Sequence, residues 1–155
     1  MNIEICSLPQ RIIIGRFLQL PLQSHDVFTL WQQFRQEQVR KGILNVELFS
    51  IQEYAEWPPA TNITHWAGIE LQEEQSYPDE WKQCVLEKGE YACFEYGGTR
   101  EEFPSILKHI IVEWLPSTNY HYDDSRKQFQ IMKPDYSLSD SNATEMVCIP
   151  VCKKL

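Results

Sequence analysis

The 155-residue chain is short of several features that particular functions need. It has no run of more than two consecutive Lys/Arg residues, and 22 acidic side chains against 14 basic ones give a net charge of -8. Neutralising a phosphate backbone takes clustered cations, so direct nucleic-acid binding is excluded as a main role. No apolar stretch approaches the roughly 18 residues of a membrane span, and the first residues lack a charged start followed by an apolar core. Neither membrane insertion nor export is expected, and the chain reads as cytoplasmic. Cys6, Cys84, Cys93, Cys148 and Cys152 form an odd set with no C-x-x-C pair, which fits reduced thiols rather than a disulfide framework. His25, His65, His109 and His121 are scattered without metal-ligand spacing, so neither a metal nor a cofactor is expected. Gly-x-Ser-x-Gly, a Walker loop and a Rossmann fingerprint are all missing. No catalytic residue is assigned on these grounds, and binding is favoured over catalysis.

Apolar residues make up 43% of the chain and aromatic residues 12%, a globular composition rich in rings. A domain of this length buries roughly two thirds of its unfolded surface without a crosslink. The plainest element lies between Gly89 and Pro116. Gly89 to Gly97 reads as a strand and Gly97-Gly98 as a turn. Thr99 and Glu102 then have the spacing of a capping box. Phe103, Ile106, Leu107, Ile110, Ile111 and Trp114 recur on one helical face, and Pro116 ends it.

That strand and helix are followed by strands at 127–133 and 144–152, and an equivalent order occurs earlier. Residues 10–20 form a β-branched strand and Ser24 to Lys41 an amphipathic helix ended by Gly42. Strands follow at 46–54 and 64–72, separated by the breaker-rich Trp57-Pro58-Pro59-Ala60-Thr61-Asn62. The fold class is therefore α+β. Two βαββ units are related by a pseudo-twofold axis, and their antiparallel sheets form a central cleft with the helices outside. One domain spans 1–155, with lobe one at about 1–72, a polar connector at 73–88 and lobe two at 89–155.

Candidate cleft residues follow from strand alternation. On strand 127–133, if Phe129 and Ile131 pack under the second helix, then Gln128, Gln130 and Met132 face the cleft. On strand 144–152, Val147, Ile149 and Val151 form the core face and Cys148 points the other way. Trp66 shares its face with Thr64 and Gly68, so a large ring stands beside bare backbone and leaves room for a flat ligand. Phe49, Tyr91 and Tyr120 are further rings not claimed by a helix stripe. The candidate ligand-binding set is Phe49, Trp66, Tyr91, Tyr120, Gln130, Met132 and Cys148, because apolar pockets with a few polar groups are how small-molecule sites are built.

Several motifs carry a family resemblance: Tyr91-Ala92-Cys93-Phe94 leading to Gly97 and Gly98, Trp114-Leu115-Pro116 followed by Thr118-Asn119-Tyr120, Phe129-Gln130, Val147-Cys148-Ile149-Pro150-Val151, and Trp66-Ala67-Gly68-Ile69. In this order the chain resembles the GyrI-like, or AraC-type effector-binding, domains, the drug-binding portion of bacterial multidrug-sensing regulators. The resemblance covers nearly the whole chain. It implies a duplicated βαββ fold whose groove binds small organic molecules, often cationic and aromatic, in a stand-alone protein linked to transcription regulation or drug sensing. Some relatives are hydrolytic, and others inhibit a larger enzyme, so a small hydrolase of electrophilic compounds and a protein-interaction module are the alternatives. A protein partner or a homodimer stays open. Many members carry a glutamate where this chain has Gln130, and an amide hydrogen-bonds but holds no charge. Cation preference and acid–base catalysis are both weakened by that departure.

Overall fold

The computed structural model describes residues 2–21, 26–54, 61–137 and 142–155. Among these residues nine strands and two α-helices run in the order β1 (Glu4–Leu8), β2 (Arg11–Pro21), α1 (Val27–Arg40), β3 (Leu48–Tyr54), β4 (Asn62–Glu70), β5 (Lys82–Leu86), β6 (Gly89–Tyr96), α2 (Phe103–His109), β7 (Tyr120–Tyr122), β8 (Gln128–Met132) and β9 (Glu145–Lys153). The expected helix start at Ser24, His25 and most of the breaker segment from Trp57 lie outside the described residues.

All the strand pairs are antiparallel. The sheet runs β1-β6-β9-β8-β3-β4-β2-β5, with β7 paired to β9 outside that path. The two βαββ units are β2-α1-β3-β4 and β6-α2-β8-β9, joined edge to edge where β3 meets β8. Two short strands extend the repeat. β1 precedes the first unit but pairs with β6 of the second, and β5 precedes the second but pairs with β2 of the first. Residues 73–88, a polar connector in the sequence reading, thus contain a strand.

These exchanged strands make the sheet curl. Pro9 and Gln10 alone link β1 to β2, and Glu87 and Lys88 alone link β5 to β6. Either link reaches about 11 Å at most. In a flat sheet the strands joined would lie six intervals apart, about 29 Å. The ends must therefore come round to meet, with one face turned inward. Lys127, at the start of β8, donates from Nζ to the carbonyl of Val85 on β5, four strands away in the order, at 3.2 Å.

Both helices pack on the outer face. α1 covers Ile14, Leu48, Ala67, Ile69 and Met132 through Leu30 and Phe34. Trp81, from the connector, stacks on Phe34 with ring centroids 4.6 Å apart and donates to Glu37, whose carboxylate also takes Arg16 of β2. That pairing holds the Glu37 carboxyl below its ordinary range. Gly42 ends α1 at φ +69°, where a side chain would be strained.

Leu107, Ile110, Ile111 and Leu115 of the second helical segment cover Ala92, Phe94, Val147, Ile149 and Val151. Thr99 Oγ1 accepts the Glu102 amide at 3.2 Å, as the capping spacing implies. The expected single helix is narrower than its apolar stripe. After His109 it widens into a π turn, Ile110–Trp114, and tightens into a 3₁₀ turn, Leu115–Ser117, where Pro116 has no amide to donate.

The inner face carries Ile13, Phe49, Ile51, Trp66, Cys84, Leu86, Tyr91, Cys93, Phe129 and Cys148 in one cluster with no helical residue in it. Gly15 and Gly68 face each other across β2 and β4. A Cβ on Gly68 would stand 2.6 Å from Ile13 Cγ2 and 2.9 Å from the Ile14 carbonyl oxygen, so these strands approach as closely as glycine permits.

Candidate functional site

The structure divides the sequence-derived candidates between the two faces of the sheet. Phe49, Trp66, Tyr91 and Cys148 lie on the inner face. The rings expected there are present, but they pack on one another: Phe49 is 0% and Tyr91 1% exposed, with Phe129 edge-on to Tyr91 at 5.4 Å. The space expected beside Trp66 is taken. Ile13 fills the side opened by Gly68, Phe17 lies on the indole at 4.8 Å, and the indole N–H donates to Glu53 at 2.9 Å. A groove of 160 Å³ beside Phe49, bounded by Val46, Glu47, Glu70 and Gln72, is smaller than the ~300 Å³ at which ligand pockets begin. Cys148 Sγ lies 3.9 Å from Cys93 Sγ, and that contact, with burial second, raises the Cys93 thiol far above its ordinary range.

Tyr120 belongs to neither group. It packs at the outer end of the second helical segment, and its hydroxyl donates to Glu90 at 3.0 Å.

Gln130 and Met132 lie on the outer face. The sequence reading paired them with Gln128 correctly but put the wrong side under the helix. Phe129 joins the inner cluster, and Met132 packs under α1. Alternation shows which residues share a face, and helix coverage decides which face that is.

On this outer side the β3–β8 junction brings together Leu48 with Met132, Ser50 with Gln130, and Gln52 with Gln128. β4 adds His65 beside Gln52, and β9 adds Val147 beside Gln130 and Glu145 beside Met132. α1 claims the apolar groups on one side and α2 those on the other. Between their footprints runs a polar seam of Ser50, Gln52, Gln128 and Gln130.

Gln52 and Gln130 form a reciprocal amide pair, each Nε2 donating to the other's Oε1 at 2.9 Å. Gln52 Nε2 also donates to Ser50 Oγ at 3.2 Å, and its Oε1 accepts Gln128 Nε2 at 3.1 Å. Gln130 is 4% and Gln128 1% exposed, so these amides are held away from bulk water. Gln128 Oε1 is buried with no hydrogen-bond partner among the described residues.

At one end of the seam burial pushes the Glu145 carboxyl up to about 7, against a hydrogen bond with Tyr136 and the charge of Arg100. Burial lowers His65, and Arg100 adds to the effect. Burial likewise raises the Tyr54 phenol, next on the same face of β3 after Gln52.

Ser50, Gln52 and His65 were not among the sequence candidates, and Gln128 was placed on the cleft face without entering the ligand-binding set. The available signal was polar residues at alternate positions, Ser50 and Gln52, in a strand whose first half is otherwise apolar, matched by Gln128 and Gln130 in another. Among the described residues no group of three or more His, Cys, Asp or Glu side chains is placed to hold a metal, and no helix is long and apolar enough to cross a membrane.

Comparison with curated proteins by sequence returns no match. Among solved structures, SAV2435 bound to tetraphenylphosphonium superposes with a TM-score of 0.72 at 13% identity, covering 98% of this chain and 94% of that one. A bacterial transcription regulation protein from Staphylococcus aureus MU50 gives 0.71 at 13% identity, covering 97% and 98%. The C-terminal domain of EcmrR gives 0.75 at 11% identity, covering 99% and 98%. At such identities these likenesses show a shared fold. A family model for the GyrI-like small molecule binding domain matches residues 1–151, and the chain therefore belongs to the GyrI-like family.

Proposed function

We propose that the outer-face seam between α1 and α2 is where this domain takes its small molecule, and that the ligand is an aromatic or apolar organic compound, neutral in preference to cationic. The observation that carries this reading is the row of buried Gln52, Gln128 and Gln130 with half-buried Ser50 between two apolar helix footprints. Apolar walls with a few placed polar groups are the composition of a small-molecule site. The amides and hydroxyl of the row orient hydrogen bonds but supply no charge to offset a desolvated cation, and burial disfavours the charged form of the one carboxyl at its end, Glu145. Reaching the seam requires a helix or a neighbouring loop to shift, since its side chains are buried with the site closed. Likeness to SAV2435, whose structure holds tetraphenylphosphonium, and to a transcription regulation protein supports a sensing role.

Thermal-shift titration with triphenylphosphine oxide and tetraphenylphosphonium tests the reading, because a ligand of the native state alone raises the melting temperature. The oxide gives the larger shift, and Gln130→Leu reduces it. A larger shift from the phosphonium, or one that survives Gln130→Leu unchanged, contradicts the charge preference or the location respectively.

Hydrolysis of electrophilic compounds is the second reading, and Glu145 is the observation in its favour. A half-buried carboxyl pushed up to about 7 is matched to acid–base work at neutral pH. Glu95, in contrast, is exposed and takes a hydrogen bond from Thr144 away from the seam. Turnover of an activated ester that Glu145→Gln abolishes supports hydrolysis; a flat baseline leaves binding.

A further inference from the structure

The seam holds one feature that its own hydrogen bonds leave unused. Gln52 is fully engaged: its Nε2 serves Gln130 and Ser50, and its Oε1 accepts from Gln130 and Gln128. Gln128 is not. One N–H goes to Gln52, while its Oε1 is buried without a partner among the described residues and its second N–H has none assigned. An acceptor and a donor thus sit side by side on one planar amide, inside the protein, on a side chain 1% exposed. Buried polar groups in folded proteins are paired as a rule, and no described residue pairs this carbonyl, so it is open to a partner on a bound molecule.

Two strand positions away the same seam shows what satisfies such an edge. Gln130 closes on Gln52 through two parallel N–H···O bonds of 2.9 Å, amide to amide.

We propose that Gln128 reads a cis-amide edge on the ligand, so that the compound bound is a neutral, flat lactam-type heterocycle whose ring N–H and neighbouring C=O pair with the Gln128 amide. This inference rests on the seam being the binding site and adds the class of molecule to it. A ring carbonyl accepts the free N–H, and the adjoining ring N–H donates to Oε1. The flat body then lies along the row from Gln128 toward Gln130, with Val147 beside Gln130 as the nearest apolar neighbour on the β9 side. Replacing the ring N–H by N–CH₃ removes the donor and sets a methyl group against a buried oxygen. A site built around a hydrogen bond rejects the analogue that lacks it far more strongly than an apolar wall rejects one methyl group.

The test is calorimetric titration of the intact chain with 2-quinolinone and with N-methyl-2-quinolinone. The wild-type protein binds the first at least ~10-fold more tightly. Gln128→Met, similar in length and apolar, brings the two within about twofold by weakening only the first. Equal affinities in the wild type, or a preference that persists in Gln128→Met, overturn the proposal. The wild-type comparison requires no variant to fold. If both quinolinones bind equally and Gln130→Leu weakens both, the seam reading stands and the lactam inference falls. If neither binds at millimolar concentration, the lactam inference falls, and the phosphine oxide titration decides the seam reading separately.

Discussion

Introducing a carboxylate into the amide row is the sharpest perturbation of the seam, and Gln130→Glu does it with almost no change of shape. In the native amide pair Gln130 Nε2 faces Gln52 Oε1 at 2.9 Å, and Gln130 Oε1 accepts Gln52 Nε2 at the same distance. When protonated, the introduced carboxyl keeps both contacts, its O–H donating where the N–H did. When ionised, it loses that donor and sets a negative oxygen against the Gln52 carbonyl oxygen, at a site 4% exposed in the wild type. Desolvation and that contact raise the folded-state pKa above the ordinary glutamate value of about 4.3. A rise of about 2 units corresponds to about 3 kcal/mol. The sign follows from linkage: the variant matches the wild type below the unfolded pKa, loses stability as pH rises through the folded pKa, and stays low above it. Urea unfolding from pH 4 to pH 8.5 measures this. The wild-type minus variant difference is near zero at pH 4 and about 3 kcal/mol at pH 8.5. A difference that does not change with pH, or a variant more stable at pH 8.5, refutes the buried amide pair.

Other consequences can be measured directly. Burial raises Glu145 from an ordinary 4.5 to about 7, so its ionisation costs stability progressively over that window; Glu145→Gln stabilises the fold at pH 8 by on the order of 2–3 kcal/mol and not at pH 4, by chemical denaturation at the two pH values. Gly68→Ala puts a methyl group against Ile13 and the β2 backbone and lowers stability by about 2 kcal/mol or more, whereas a neutral effect denies the close approach of β2 and β4. Native protein exposes Cys6 and Cys152 in part and buries Cys84, Cys93 and Cys148. A thiol-specific reagent therefore modifies two thiols quickly and the other three only on unfolding, and rapid reaction of all five contradicts the packed inner face.

The repeat was legible because each of its parts has a local signal. Phe103 to Trp114 show the helical period, Thr99 and Glu102 the start, Gly42 and Pro116 the stops, and the β-branched runs the strands. β1 and β5 were not legible. Five residues such as Lys82 to Leu86, polar at the first two positions and without alternation, resemble a connector, and their pairing partners lie in the other repeat, beyond any local window. The curl follows from those two strands and so was hidden with them.

The site divides the same way. Gln130 and Met132 were found as one face of a strand, but the side that faces α1 depends on how the sheet curls. Gln52 and Ser50 become significant only once β3 is known to pair with β8, at a sequence separation of 78 for Gln52 and Gln130. Trp66 and Gly68 looked like a vacancy because the sequence carries no sign that Ile13 fills it.

The location of ligand binding is tested most directly by NMR of the amide-bearing side chains. On titration with triphenylphosphine oxide, the side-chain NH₂ signals of Gln52, Gln128 and Gln130 shift together at saturation, while the indole N–H of Trp66, on the inner face, does not move. Shifts at Trp66 with the three glutamines unmoved would place the ligand inside the curled sheet and contradict the seam.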